Sequence, residues 1–222
     1  MVFKKTFPTL SVEQVATLAR HAYEVGVALE SNIEAIFPSL VESDSTSISY
    51  ALADCSRPMS TSLFNRTCTV DDMRKAGSIL RSIHRVPGLM HADFVSHNLF
   101  FSQDFDCLVV IDPHPPEYVP FSADYLYGHQ VNEISRFVFA QLSNSSFKRS
   151  VGSFGYQLKM TKAFLEGYGQ PIPAFKAHLI PTWLCAREVF YMKLQGNYSL
   201  LRAGAHATAG FLLTLVLLRI SL

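Results

Sequence analysis

The stretch "MHADFVSHNLFFSQDFDCLVVIDP", residues 90–113, decides the fold. Its apolar runs "NLFF" and "CLVVID" flank the polar turn "SQDFD", which predicts a β-hairpin. Because adjacent antiparallel strands bring the start of the first beside the end of the second, Asn98 and Asp112 are expected to converge. An amide oxygen and a carboxylate at one point suit Mg²⁺, which takes oxygen ligands. Asp93, on the preceding loop, is placed to orient a hydroxyl and accept its proton.

The composition describes a nearly neutral chain with enough apolar residues for a large core. It has 222 residues, of which 49% are apolar, and a formal net charge of +1. This length predicts one compact or two-lobed domain. The charge balance favours neither nucleic acid nor a membrane surface as a partner. Four scattered cysteines without a C-x-x-C pair argue against a zinc site or disulfide framework, and favour a cytoplasmic protein.

Neither end of the chain predicts a membrane segment. The start, "MVFKKTFPTL", lacks the apolar run of a secretory signal. The apolar end, "AGFLLTLVLLRISL", counts about a dozen residues, fewer than the roughly 20 that span a bilayer. It is therefore expected to form a buried terminal helix.

Periodicity predicts the remaining elements. "VFKKTF" is interpreted as a strand, and two short strands flank the polar turn "ESDSTS". One helix begins at a capping box formed by Ser11 and Gln14, and a second begins at Thr69 and Asp72. Four helices are expected after residue 120, with Gly169 as a C-cap.

The residues "HADFVSHN" followed by "VVID" resemble the catalytic loop and metal-binding segment of the protein-kinase-like fold. With the flanking segments "LRSIHRVPG" and "FLEGYG", the chain is most similar to the aminoglycoside phosphotransferase branch, which includes choline kinases. The resemblance implies an α+β fold, with a partial N-terminal β lobe over 1–56 and a mainly helical C-terminal lobe over 57–222. It also implies ATP and Mg²⁺ as cofactors and a hydroxyl of a small molecule as the acceptor.

The resemblance implies roles for residues of the larger lobe. Asp93 is expected to be the catalytic base, and Asn98 and Asp112 are expected to be Mg²⁺ ligands. His91 is expected to brace the catalytic loop, and Asp124 to support it from below.

In the smaller lobe, the resemblance implies a nucleotide site. Lys4, with Lys5 as second choice, is expected to hold the α- and β-phosphates, and Glu24 to pair with that lysine. Adenine is expected to meet the backbone of the hinge between the lobes, at Leu52, Ala53 and Asp54.

Three departures from the family pattern leave a second function open. Ala92 stands where the family usually has glycine, and Pro113 follows Asp112 in place of Phe-Gly. Only three residues precede Lys4, too few for the two strands and glycine-rich loop that cover the phosphates. The strand near residues 2–7 is therefore expected as an exposed edge, which could pair with a second copy. The alternative function is a catalytically impaired pseudokinase or remnant that acts as a binding module.

A third alternative is a transition-metal hydrolase, whose ligands would come from His91, Asp93, His97, Asp112, His114 and His129. It is disfavoured because no H-x-H or helical H-x-x-x-H pair is present.

The substrate segment in this family corresponds to residues 115–137, which here carry the aromatic residues Tyr118, Phe121, Tyr125 and Tyr127. A polycationic aminoglycoside would need a dense cluster of carboxylates, and this segment has only Glu117, Asp124 and Glu133. A neutral or less cationic hydroxylated metabolite is therefore expected.

Overall fold

Two small sheets and seven α-helices make up the described part of the chain. The computed structural model describes residues 2–51, 54–115, 129–143, 152–169 and 175–222. The strands are β1 (Val2–Thr6), β2 (Ala35–Ile36), β3 (Ser39–Ser43), β4 (Ser47–Ala51), β5 (Cys55–Pro58), β6 (Leu99–Ser102) and β7 (Leu108–Val110). The helices are α1 (Val12–Leu29), α2 (Met59–Phe64), α3 (Val70–His84), α4 (His129–Ser143), α5 (Phe154–Tyr168), α6 (Leu179–Gln195) and α7 (Leu200–Ser221). The α+β class is confirmed.

The N-terminal sheet has the strand order β1-β4-β3, and both pairs are antiparallel. Within the described residues β1 is an edge strand, as expected; its contact with a second copy stays a prediction. Helix α1 covers this sheet, where Val15 and Ala19 pack against Ile48. The helix begins at the predicted capping box, in which the Gln14 backbone N–H donates to Ser11 Oγ at 3.2 Å.

The second sheet has the order β2-β7-β6-β5 and contains the predicted hairpin. β6 and β7 pair antiparallel, with Leu99 opposite Val110. β2 and β5, which sequence periodicity did not predict, complete the sheet. β2 is only two residues long, and β5 ends in Pro58. Proline lacks a backbone donor, so it is tolerated here because β5 is an edge strand.

Helices α3 and α5 touch at two glycines, which lets their backbones approach. A Cβ on Gly77 would lie 2.0 Å from the carbonyl oxygen of Phe164, and one on Gly167 would lie 2.0 Å from that of Arg74. Helix α5 ends at the predicted C-cap, Gly169, whose φ is +58°. Leu99 and Val110 at the two strands of the hairpin, and Phe94 of the preceding loop, share one apolar core with these helices.

The C-terminal helix is longer and more exposed than the sequence predicted. α7 has 22 residues, because an alanine-rich segment with high helix propensity extends it before the apolar run. Leu217 and Leu218 are buried, whereas Leu201, Leu212 and Ile220 are exposed, so the expected buried helix of about a dozen residues is wrong. By length and composition α7 qualifies as a membrane span, yet one such helix is weak evidence, and no clear span emerges.

Candidate active site

Asp93, Asn98 and Asp112 meet at one end of the hairpin, as the sequence predicts. The Asn98 side-chain Nδ2 donates to the Asp93 carboxylate Oδ2 at 2.9 Å and to the Asp93 carbonyl at 3.0 Å. The Ile111 backbone N–H donates to the Asn98 carbonyl at 3.0 Å, which brings Asp112 beside them. The hairpin therefore holds Asn98 beside Asp112, and the Asn98 side-chain amide holds Asp93.

Arg136 of α4 holds the Asp93 carboxylate from the other side. Its Nη2 lies 2.6 Å from Asp93 Oδ1, and its Nη1 donates to the Ala92 carbonyl at 2.6 Å. Both carboxylate oxygens of Asp93 therefore have a donor, Asn98 on one and Arg136 on the other. Two charge-assisted contacts fix the orientation of this carboxylate.

Strand β1 turns Lys5, and not Lys4, toward the site. Lys5 Nζ forms an ion pair with Asp112 Oδ1. Lys4 Nζ lies 3.1 Å from Asp44 Oδ2, at the exposed β3–β4 turn. Successive side chains of a strand point to opposite faces, so only one of two adjacent lysines can reach the site. Lys5, the second choice, is therefore the lysine at the site, and Lys4, the first choice, is not; a contact of Lys5 with phosphates stays a prediction.

Glu24 is not brought to either lysine. The buried stripe of α1 runs through Ala22, Val25 and Leu29, and a period of 3.6 residues puts position 24 on the solvent side. Glu24 is exposed and makes no ion pair among the described residues. Burial is the main cause of the lowered pKa of His91, and the charge of His21, a buried residue of α1, contributes to it.

Several expected residues lie outside the described part of the chain: Leu52, Ala53, Glu117, Asp124 and the aromatics Tyr118, Phe121, Tyr125 and Tyr127. Of the expected hinge, Asp54 is described. It is exposed, and its carbonyl accepts a hydrogen bond from the Gln103 backbone N–H at 3.1 Å. β4 and β5, which flank residues 52–54, belong to different sheets, as a hinge requires. A contact with adenine stays a prediction.

The backbone is left-handed at two positions in the site. Ala92 has φ +60° and Asp112 has φ +61°. Aspartate tolerates this region, but an alanine there costs about 1–2 kcal/mol. A glycine at position 92 would avoid that cost. Strained backbone is typical of functional sites.

His91 braces the loop, as expected. Its Nε2–H donates to the Ile111 carbonyl at 3.0 Å, and its backbone N–H donates to Glu133 Oε2 at 3.2 Å. Complete burial lowers the pKa of His91 to about 4, although the nearby charges of Glu133 and Asp93 raise it. The imidazole is therefore neutral and ties the loop to the end of β7.

Glu133 supports the loop from below and was not predicted to do so. It is 2% exposed, and its Oε2 also accepts from His84 Nε2 at 2.8 Å. Burial raises the pKa of Glu133, but the hydrogen bonds and charges of His84 and His91 together outweigh it, so the pKa is lowered. From the sequence, Glu133 was expected to be one of the acids of the substrate surface. The signal that marks it, together with Arg136, is a charge inside the apolar helix segment "NEISRFVFAQL".

The oxygen atoms at the site fit a hard cation. The carboxylates of Asp93 and Asp112 lie within 4.8 Å of each other and of a ring nitrogen of His114. The Asn98 Oδ1 accepts no hydrogen bond from the described residues, because the amide turns its nitrogen to Asp93. Carboxylate and amide oxygens are ligands that Mg²⁺ accepts.

The sequence matched no protein-family model and no curated protein. Function is therefore inferred from the geometry of the site.

Proposed function

We propose that this chain is an ATP- and Mg²⁺-dependent phosphotransferase that acts on a hydroxyl of a small molecule, with a protein-kinase-like fold of the aminoglycoside phosphotransferase branch. The observation that carries the proposal is the contact between Lys5 of the first sheet and Asp112, which follows the last strand of the hairpin, beside Asp93 and Asn98. Phosphoryl transfer is achieved almost entirely by positioning and charge stabilisation. A cation, two metal-ligand candidates and a base converge here from separate elements.

In this proposal Asp112 and the Asn98 Oδ1 hold Mg²⁺, which neutralises phosphate charge when it is bound. Lys5 now pairs with Asp112, and a metal on that carboxylate would compete for the same oxygen. The ammonium would then be released to the phosphates. Lys5 therefore has the reach that its expected role requires.

Asp93 accepts the proton in the proposed reaction. The acceptor hydroxyl oxygen attacks the γ-phosphorus, the bond to the leaving ADP oxygen breaks, and the hydroxyl proton passes to the Asp93 carboxylate. Arg136 and Asn98 keep that carboxylate in one orientation. The burial of Glu133 removes one acid from the substrate surface, which supports a neutral or weakly cationic hydroxylated substrate.

Calorimetric titration of the full chain with ATP, with and without Mg²⁺, tests the metal role. We expect Mg²⁺-dependent binding, and we expect Asp112→Ala to abolish it without loss of the fold, measured by circular dichroism. Asp106→Ala is the matched control, since Asp106 lies in the turn of the same hairpin and its side chain is 96% exposed. If Asp112→Ala binds Mg²⁺ and ATP like the parent, the assignment is wrong.

Two adjacent lysines allow a second matched comparison. Lys5→Met should weaken ATP binding by roughly tenfold or more, because it removes one charge-assisted hydrogen bond. Lys4→Met should leave ATP binding unchanged. Asp93→Asn should keep nucleotide binding but lose transfer, because a base acts on the acceptor and not on ATP. Equal effects of the two lysine variants on ATP binding would contradict the role assigned to Lys5.

The pseudokinase alternative is favoured by one observation, that both carboxylates already have a cationic partner. Asp93 pairs with Arg136, and Asp112 pairs with Lys5. In that case ATP binds, the parent chain transfers no phosphoryl group, and Asp93→Asn changes nothing. A panel of hydroxylated metabolites with ADP detection separates the two functions.

A further inference from the structure

An imidazole nitrogen lies among the oxygen ligands of the site. His114 follows Asp112 by two residues, and its Nε2 lies 3.9 Å from Asp112 Oδ1. Its backbone N–H donates to the His91 carbonyl at 2.9 Å, which fixes the residue beside the catalytic loop. The side chain is 26% exposed, so the ring is reachable from solvent and yet held on one side.

The hydrogen bonding of His114 determines which ring nitrogen can bind a metal. Its Nδ1 lies 3.0 Å from the Asp112 carbonyl oxygen. A carbonyl can only accept, so Nδ1 carries the hydrogen, and in the neutral ring Nε2 has the free lone pair. Metal-binding histidines usually donate their other ring N–H to a carbonyl or carboxylate in this way. Nε2, the nitrogen with the lone pair, lies 3.9 Å from Asp112 Oδ1, and a ring nitrogen of His114 lies within 4.8 Å of both carboxylates.

The side-chain oxygen of Asn98 is a further candidate ligand for a bound cation. Its side chain is 5% exposed and lies against Asp93, while its Oδ1 accepts no hydrogen bond from the described residues. An amide oxygen that no donor of the described residues satisfies is free to accept a bond from water or to bind a metal ion. Two carboxylates, one amide oxygen and one imidazole nitrogen are thus available at one point.

The charge around the site decides between hard and borderline metals. The carboxylate of Asp93 faces Arg136, so its negative charge is largely neutralised, whereas a metal on Asp112 would displace Lys5 from that carboxylate. Mg²⁺ relies on negatively charged oxygen ligands, whereas first-row transition metals also gain a bond to imidazole. A neutral nitrogen ligand raises affinity for the latter without added charge.

We infer that His114 Nε2 is a ligand of the metal at this site, and that the site binds a divalent transition metal in preference to Mg²⁺. The inference rests on the proposed function for the role of Asp112 as a metal ligand. It differs from a hydrolase site, since His97 takes no part in the cluster. The steps of the proposed phosphoryl transfer are the same with either divalent cation.

Co²⁺ and Mg²⁺ titrations of the nucleotide-free full chain test the inference, by calorimetry and, for Co²⁺, by visible absorption. The parent should bind Co²⁺ at least tenfold more tightly than Mg²⁺ (Kd ratio). His114→Ala should weaken Co²⁺ binding roughly tenfold or more and change its spectrum, with Mg²⁺ affinity within about twofold. His97→Ala, at an exposed histidine of the same loop, should change neither.

A second variant, His114→Asn, keeps a side-chain donor near the Asp112 carbonyl, and should lose Co²⁺ affinity like the alanine variant. Equal Co²⁺ and Mg²⁺ affinities in the parent would overturn the inference, as would His114 variants that bind Co²⁺ normally. If ATP binds with Mg²⁺ and the His114 variants have no effect, this inference fails alone. If Co²⁺ binding depends on His114 and ATP never binds, the proposed function fails alone.

Discussion

Removal of the Glu133 carboxylate should destabilise the chain far more than removal of an exposed carboxylate with similar bonds. Glu133 accepts from His84 Nε2 at 2.8 Å and from the His91 backbone N–H at 3.2 Å, and the His84 and Glu133 side chains are 0% and 2% exposed. Glu133→Ala leaves two buried donors without an acceptor, each worth about 1–3 kcal/mol. We expect a loss of about 3–5 kcal/mol in the free energy of unfolding.

Glu166 provides the matched control. It accepts from Arg74 Nε and Nη2 at 3.2 and 3.0 Å, but the Arg74 and Glu166 side chains are 49% and 44% exposed. An exposed ion pair contributes about 0–1 kcal/mol, so Glu166→Ala should be nearly neutral. Glu133→Gln keeps an oxygen acceptor and should fall between the two alanine variants. Urea unfolding of the full chain at pH 7 gives the three values.

The reasoning would be refuted if the two alanine variants differed by less than about 1 kcal/mol. A large loss for Glu133→Gln, equal to that of Glu133→Ala, would show that charge and not hydrogen bonding holds the loop.

Three further predictions concern packing, pH and thiol reactivity. Gly77→Ala should cost about 3 kcal/mol or more in unfolding free energy, because its Cβ would meet the backbone of the facing helix. Gly155 has open space around it, so Gly155→Ala should be neutral or slightly stabilising. Equal effects of the two variants would contradict the helix contact. Burial lowers the pKa of His91 and of His178 from 6.5 to about 4. The unfolded chain therefore binds more protons between pH 6.5 and 4, and stability should fall by about 3 kcal/mol per histidine as the pH drops through that window; urea unfolding that is flat from pH 7 to 4.5 would exclude this. A thiol reagent should modify Cys55 first in the folded chain, because the other three cysteines are buried, and four equally fast reactions would show otherwise.

Local sequence determined several of the elements, though not β2 and β5, and it determined the centre of the site. Capping boxes at Ser11 and Thr69 predicted where two helices begin, since the cap side chains bond within one turn. The convergence of Asn98 and Asp112 also followed from sequence, because a short turn brings the two strand ends together whatever the rest of the chain does.

Only the tertiary structure decided which charges complete the site. Whether Lys4 or Lys5 reaches Asp112 depends on which face of β1 turns toward the hairpin. Adjacent residues of a strand lie on opposite faces, so only one of the two lysines can reach it. Arg136 and Glu133 reach the loop because α4 packs beneath it, a contact between distant segments that no local pattern encodes. The same holds for the partial exposure of α7, whose apolar residues outnumber the positions that its neighbours can cover. Short-range hydrogen bonds can be predicted from neighbouring residues, whereas burial and ion pairing are properties of the packed chain.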